Sequence, residues 1–204
     1  MGAAGLIHET PGWLVCAAPD TVEPLATVSD EALMTRYSRG EADAFEALYR
    51  RHSAPLHRFI MRLTRRRTDA DEIFQDVWLG LVRGRERYEP TARFVTFLFA
   101  IAHRRVADHA RRNPRLSASL DDAPEPPSGE PDPLASLQNA ELGAALLHAI
   151  DALPLAQREA FLLQAEAGLS LEEIARATGA RFETVKSRLR YANRQLRKTL
   201  DMWK

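Results

Sequence analysis

The stretch from Leu169 to Leu200, LSLEEIARATGARFETVKSRLRYANRQLRKTL, decides the reading of this chain. It predicts a helix, a tight turn and a second helix. Ser170 is placed to cap the first helix, and Glu173, three residues on, completes a capping box. Leu171, Ile174, Ala175 and Thr178 recur at helical spacing. Gly179 then ends the helix, where a left-handed residue costs least. The second helix repeats apolar residues at Val185, Leu189, Ala192 and Leu196, while Lys186, Arg188, Arg190, Arg194, Arg197 and Lys198 cover its other faces. No acidic residue occurs from Thr184 to Leu200. Two short helices about a glycine, the second one basic, form the helix-turn-helix pattern. The apolar side would hold the second helix while its polar side meets phosphates and base edges. Plain helical bundles also contain such pairs, so the rest of the chain has to decide.

The chain has 204 residues, 45% of them apolar, enough for one or two packed domains. Its single cysteine, Cys16, excludes an intramolecular disulfide and fits a reducing compartment. No apolar run approaches the length of a membrane span. The N-terminus lacks the basic region of a signal peptide, and Leu6 stands where a myristoylation motif needs Ser or Thr. Net charge is zero, yet its distribution is uneven: −3 over 1–28, +6 over 29–116, −5 over 117–140 and +2 over 141–204. Two basic blocks separated by an acidic stretch point to partners more clearly than the total does.

Outward from the C-terminal motif, no stretch reads as a strand. Residues 1–28 lack periodicity and read as a loosely ordered extension. Ser29 caps a short helix over 30–38. After Gly40, Phe45, Leu48, Tyr49, Leu56, Phe59, Ile60 and Leu63 share a helical face, which Pro55 is expected to kink or break. Thr68 is expected to cap the next helix, DADEIFQDVWLGLV, with Asp69, Asp71 and Glu72 in its first turn. Its wide apolar stripe lies beside acidic positions, the pattern of a partner surface, although Trp78 taken alone fits ordinary core. A charged loop, RGRERYEPTAR, leads to the helix RFVTFLFAIAHRRVADHARR. There Phe94, Phe97, Leu98, Ile101, Ala102 and Val106 form the expected buried face, with Thr96, His103, Arg104, Ala107 and Arg111 outward. Aromatics interleaved with arginines suit single-stranded nucleic acid, although Phe97 fits the core stripe better. Six of the twelve prolines fall within 113–133, the composition of a linker. Leu142, Leu146, Ile150 and Leu153 then define a helix, and Pro154 opens another that ends at Gly168.

These segments together resemble a group IV, or extracytoplasmic-function (ECF), sigma factor of bacterial RNA polymerase, within the sigma-70 family. DADEIFQDVW resembles the segment that docks on the polymerase clamp. RFVTFLFAIAHRRVADHARR resembles the segment that melts and reads the −10 element. LPLAQREAFLL, at Leu153–Leu163, resembles the start of the family's fourth domain, and LSLEEIARATG with ETVKSRLRYA resembles its −35-reading helix-turn-helix. The four in this order, with a Pro-rich stretch between the second and third, are highly specific. Departures occur: Phe97 and His103 stand where the family often has Trp and Asn, and Arg181 and Glu183 where it often has Ser and Gly. Tyr191 and Asn193 replace frequent arginines.

The resemblance implies an all-α fold of two small helical domains, region 2 over 29–112 and region 4 over 135–204, joined by a flexible acidic linker over 113–134. It implies core-polymerase docking through Asp71, Glu72, Gln75, Asp76, Trp78 and Leu79. The −10 element would be met by Tyr88, Arg93, His103, Arg104, Arg111 and Arg112. The −35 element would be met by Arg181, Thr184, Lys186, Ser187, Arg188, Arg190, Tyr191 and Arg194. Expected partners are core RNA polymerase, promoter DNA and an anti-sigma factor, in the cytoplasm, with no membrane, metal or cofactor. No catalytic set is visible, and the six histidines and Cys16 form no ligand pattern. A stand-alone helix-turn-helix regulator would leave the acidic-apolar helix without a role. A helical adaptor would leave the all-basic segment without one.

Overall fold

The structure, a computed structural model, describes residues 25–64, 66–112 and 133–201, without the side chains of 87 and 133–140. The expected extension up to residue 24 and the linker over 113–132 lie outside these residues. Among the described residues all regular structure is helical: α1 (Asp30–Ser38), α2 (Ala42–Leu63), α3 (Arg67–Gly84), a 3-10 turn at Arg85–Arg87, α4 (Phe94–Arg112), α5 (Pro133–Asp151), α6 (Leu155–Ala167), α7 (Leu171–Thr178) and α8 (Phe182–Asp201).

Helices α1 to α4 pack on one another through Leu33, Leu48, Leu56, Phe59, Ile60, Leu81, Leu98 and Phe99, all fully buried. Phe59 and Phe99 meet edge to face at 5.2 Å between centroids. Burial of each such side chain contributes about 1.5–3 kcal/mol. Helix α2 runs unbroken through Pro55, so the expected break does not form. Its residues on both sides, Leu48 and Leu56 to Ile60, bury into the same core, and that burial outweighs the roughly 3 kcal/mol a mid-helix proline costs. Helix α3 begins one residue before Thr68, after an N-cap at Arg66 that makes no side-chain cap, so the expected Thr68 cap does not form. Residues 25–28, expected within the loose extension, are tied down. Arg51 donates to the carbonyls of Leu25, Ala26 and Val28 at 2.7–2.8 Å, and Val28 is buried.

Helices α5 to α8 form the second group. Gly168 and Gly179 end α6 and α7 in the left-handed region, at φ 59° and 68°, where a β-carbon would be strained. The Ser170–Glu173 capping box forms as expected, with both reciprocal hydrogen bonds. In α8 the buried residues are Val185, Leu189, Ala192 and Leu196, the four that the periodicity selects. Leu142 in α5 is exposed, while Leu146 is partly buried against the core and Ala149 and Ile150 are buried. The two groups also pack against each other, α7 and α6 lying across α4 and α2.

Candidate nucleic-acid interface

Helix α8 presents the first basic surface. With its apolar stripe turned inward, Arg181, Thr184, Lys186, Arg190, Tyr191 and Arg194 are exposed, and Ser187 and Arg188 are half-buried. All eight expected −35 contacts thus lie on or beside one open helix. The Arg190 and Arg194 guanidinium groups both stack on the Tyr191 ring, at 5.2 and 5.0 Å from its centroid. Stacking holds two long cationic side chains in place and reduces the rotamer freedom they lose on meeting a phosphate or a guanine. Glu183 pairs with Lys186 at 3.5 Å, which partly neutralises the carboxylate at the start of the helix.

The second basic surface lies on α4 and the loop before it. At the start of α4 the Glu31 carboxylate, 63 residues away, accepts from the Phe94 N–H at 2.8 Å. That long-range cap, invisible in local sequence, fixes the loop 88–93 against α1. Within the loop, Tyr88 packs on Phe97 at 5.4 Å, and its buried hydroxyl has no hydrogen-bond partner. Burial, then the charges of Glu31 and Asp30, push the Tyr88 phenol up to about 12, so it stays a neutral donor. Arg104 is exposed, and Arg111 and Arg112 lie near Asp108 at the end of α4.

Region 4 lies over part of this surface. Arg93 donates to Glu173 Oε2 and to the Gly168 carbonyl, each at 3.3 Å. His103 Nδ1 lies 2.5 Å from Glu159 Oε1. Thr96, expected to face outward, is 4% exposed, and its hydroxyl donates to Glu173 Oε1 at 3.1 Å. The expectation fails because α7 covers that side of α4. Glu173 itself is 6% exposed. Burial works to raise its pKa. Hydrogen bonds from the Ser170 backbone and the Thr96 hydroxyl, together with the Arg93 charge, outweigh this and hold the carboxyl below its ordinary value. Tyr88, Phe97 and Ala100 line a cavity of about 150 Å³ whose far wall is Arg176 and Ala177 of α7. Neither Glu173 beyond its cap nor Thr96 was legible as part of the site.

The acidic-apolar helix α3 exposes Glu72, Gln75 and Leu79 and half-exposes Asp71 and Asp76, so five of the six expected docking residues reach the surface. Trp78 does not. It is 6% exposed, held among Phe45, Tyr49 and Phe74 at 4.9–6.3 Å between ring centroids. This side chain supports the surface from beneath and does not form it, because three aromatic neighbours close over it. Asp71 is also engaged by His57 at 3.0 Å. Among the described residues there is no group of His, Cys, Asp and Glu able to hold a metal ion, and no helix is long and apolar enough to cross a membrane.

Family models for sigma-70 region 2 and sigma-70 region 4 match residues 48–116 and 143–196. The chain is similar to the RNA polymerase sigma factor CarQ of Myxococcus xanthus, 34% identical over 148 residues, which cover 72% of this chain and 83% of that protein. It is similar to the ECF RNA polymerase sigma factor SigK of Mycolicibacterium vanbaalenii, 31% identical over 187 residues, covering 88% and 93%. It resembles SigE of Mycolicibacterium smegmatis at 31% over 185 residues, covering 87% and 70%. The fold is shared with CnrH in its complex with the cytosolic domain of CnrY, at TM-score 0.62 and 23% identity, over 85% of this chain and 97% of that one. It is shared also with RpoE of Bartonella quintana in complex with the anti-sigma factor NepR, at TM-score 0.59 and 21% identity, over 77% and 96%. The chain belongs to the sigma-70 family. Within it, the chain is an ECF RNA polymerase sigma factor, an alternative sigma factor that directs transcription.

Proposed function

We propose that this chain docks on core RNA polymerase through the exposed face of α3, reads the −35 element through α8, and reads and melts the −10 element through α4 and the loop before it. The observation that carries the reading is the helix α8: four apolar residues face inward and a set of cations, free of acids from Thr184 to Leu200, faces out. Such a helix suits the major groove, where phosphate contacts position it and base edges select sequence. The neutral Tyr88 hydroxyl, with Phe97 beside it, supports a pocket for a base taken out of the stack. Extrusion costs a few kcal/mol, which stacking on an aromatic ring offsets by about 1–3 kcal/mol per base. RNA synthesis belongs to the polymerase; this chain supplies promoter choice and needs no catalytic residue of its own. An anti-sigma factor as its keeper is supported by the company in which similar folds occur, RpoE with NepR among them. The place of action follows the polymerase, in the cytoplasm.

Run-off transcription tests the whole reading. Core polymerase is supplied with and without the chain on genomic fragments that include its own promoter. Specific starts only in its presence are expected. DNA binding without any complex with core would instead leave a stand-alone regulator.

A further inference from the structure

Apart from Asp201 at its far end, α8 carries a single acid, Glu183 in its first turn. Glu183 shares one face of the helix with Lys186 and Arg190, and all three are exposed. Its Oε2 lies 3.5 Å from Lys186 Nζ, with the two side chains 75% and 59% exposed. An ion pair so open to water adds little stability, and a carboxylate beside DNA repels phosphates. Its place, however, is the N-terminal end of the second helix of the helix-turn-helix, the end that meets base edges. A carboxylate offers acceptors alone. In the major groove it therefore favours a base that presents an amino group and rejects one that presents a keto oxygen.

We propose that Glu183 and Lys186 together read one G·C base pair of the −35 element, the carboxylate on cytosine N4 and the ammonium on guanine O6 and N7. This rests on the −35 assignment of the preceding subsection and adds Glu183 to it as a specificity-determining residue. The pair is sized for one base pair. Guanine O6 and cytosine N4 are hydrogen-bonded to each other, about 2.9 Å apart, close to the 3.5 Å between Lys186 Nζ and Glu183 Oε2. Both guanine acceptors then face the ammonium and the cytosine amino group faces the carboxylate. In the same orientation an A·T or C·G pair sets a keto oxygen, O4 or O6, against the carboxylate. A T·A pair is the nearest competitor: it keeps one acceptor and one donor but places adenine N7 beside the carboxylate. Arg190 lies about 6 Å further along the helix axis, more than one base step of about 3.4 Å, so its guanidinium is left for a different pair.

Core polymerase carrying the full chain is bound to promoter duplexes with every single substitution across the −35 element, in competition with the unsubstituted duplex. Replacing one G·C pair by A·T or C·G is expected to weaken binding about tenfold, and replacing it by T·A to weaken it less. Inosine in place of that guanine keeps N7 and O6 and loses only the minor-groove amino group, so it should be tolerated. Glu183→Ala should bind the A·T and C·G duplexes more tightly and reduce the preference at that pair alone. Glu183→Gln, whose amide oxygen still accepts, should keep part of the preference. Lys186→Ala should reduce the preference at the same pair. Thermal unfolding of each variant should match the parent, since both side chains are exposed. Uniformly tighter binding of Glu183→Ala to every duplex would overturn the proposal and make the carboxylate a repeller of phosphate. An effect of Glu183→Ala at a pair other than G·C, or at a different pair from Lys186→Ala, would overturn it too. A −35 preference that Arg190→Ala shifts and Glu183→Ala leaves unchanged would defeat this proposal alone. A parent complex indifferent to every −35 substitution would defeat the −35 assignment and this proposal with it.

Discussion

Asp30 sits between two cationic or protonatable partners, Arg51 at 2.6 Å and His52 at 2.7 Å, and closes the clamp that holds residues 25–28. Burial works to raise its pKa, but the hydrogen bonds and charges of His52 and Arg51 outweigh it and lower the pKa. A folded-state value below the unfolded one stabilises the fold above the ordinary carboxylate pKa. That stabilisation is lost as pH falls through the lowered value. Asp30→Asn is therefore expected to cost about 1.5–3 kcal/mol at neutral pH and to flatten the acid limb of stability, read by urea denaturation over a pH series. On α8, exposed Arg190 is held by stacking on Tyr191. Arg190→Ala should lose about 1–3 kcal/mol of discrimination at one −35 position, measured by competition between matched and substituted −35 duplexes. Equal loss on a scrambled −35 sequence would make it a phosphate contact.

Helix α3 separates two roles that its sequence runs together. Its apolar stripe is wider than one core needs, and the structure divides it: Ile73, Val77, Trp78 and Leu81 turn inward, while Leu79 stands 47% exposed beside Glu72, Gln75 and Asp76. Trp78→Ala should cost about 3–5 kcal/mol of stability, seen in thermal unfolding. Leu79→Asp should leave the unfolding midpoint near that of the parent and weaken binding to core polymerase. Equal effects of the two on stability would show that Leu79 also serves the core. At α4 the lesson concerns caps. The Glu31 carboxylate supplies from another helix what local sequence does not, and so couples the position of the −10 loop to the packing of α1.

For the whole molecule, the packing of the two helical groups includes ion pairs whose region 2 partners are partly in water; the Arg58 and Arg93 side chains are 58% and 57% exposed. Such pairs weaken as the screening length falls from roughly 30 Å at 0.01 M salt to about 3 Å at 1 M. Rising salt should therefore loosen the packing of the two groups in the free chain, read as a larger radius of gyration in small-angle scattering. The measurement is made without DNA, because salt also weakens phosphate contacts. A radius unchanged from low to high salt would assign that packing to the buried Thr96–Glu173 contact and its apolar surroundings instead.

The sequence by itself determined the helices, the capping box, the inward stripe of α8 and the basic blocks. Each of these depends on local period, local caps or charge order, which are properties of neighbours along the chain. It also carried the family, since the four motifs keep their order and spacing. Continuity of α2 through Pro55, burial of Trp78 and the long-range cap from Glu31 were decided by packing between residues far apart in sequence. The covering of Arg93, Thr96 and His103 by region 4 was decided in the same way. Glu173 marks the boundary between the two: read locally it caps a helix, and only the fold brings Thr96 and Arg93, 77 and 80 residues away, to its other lone pairs.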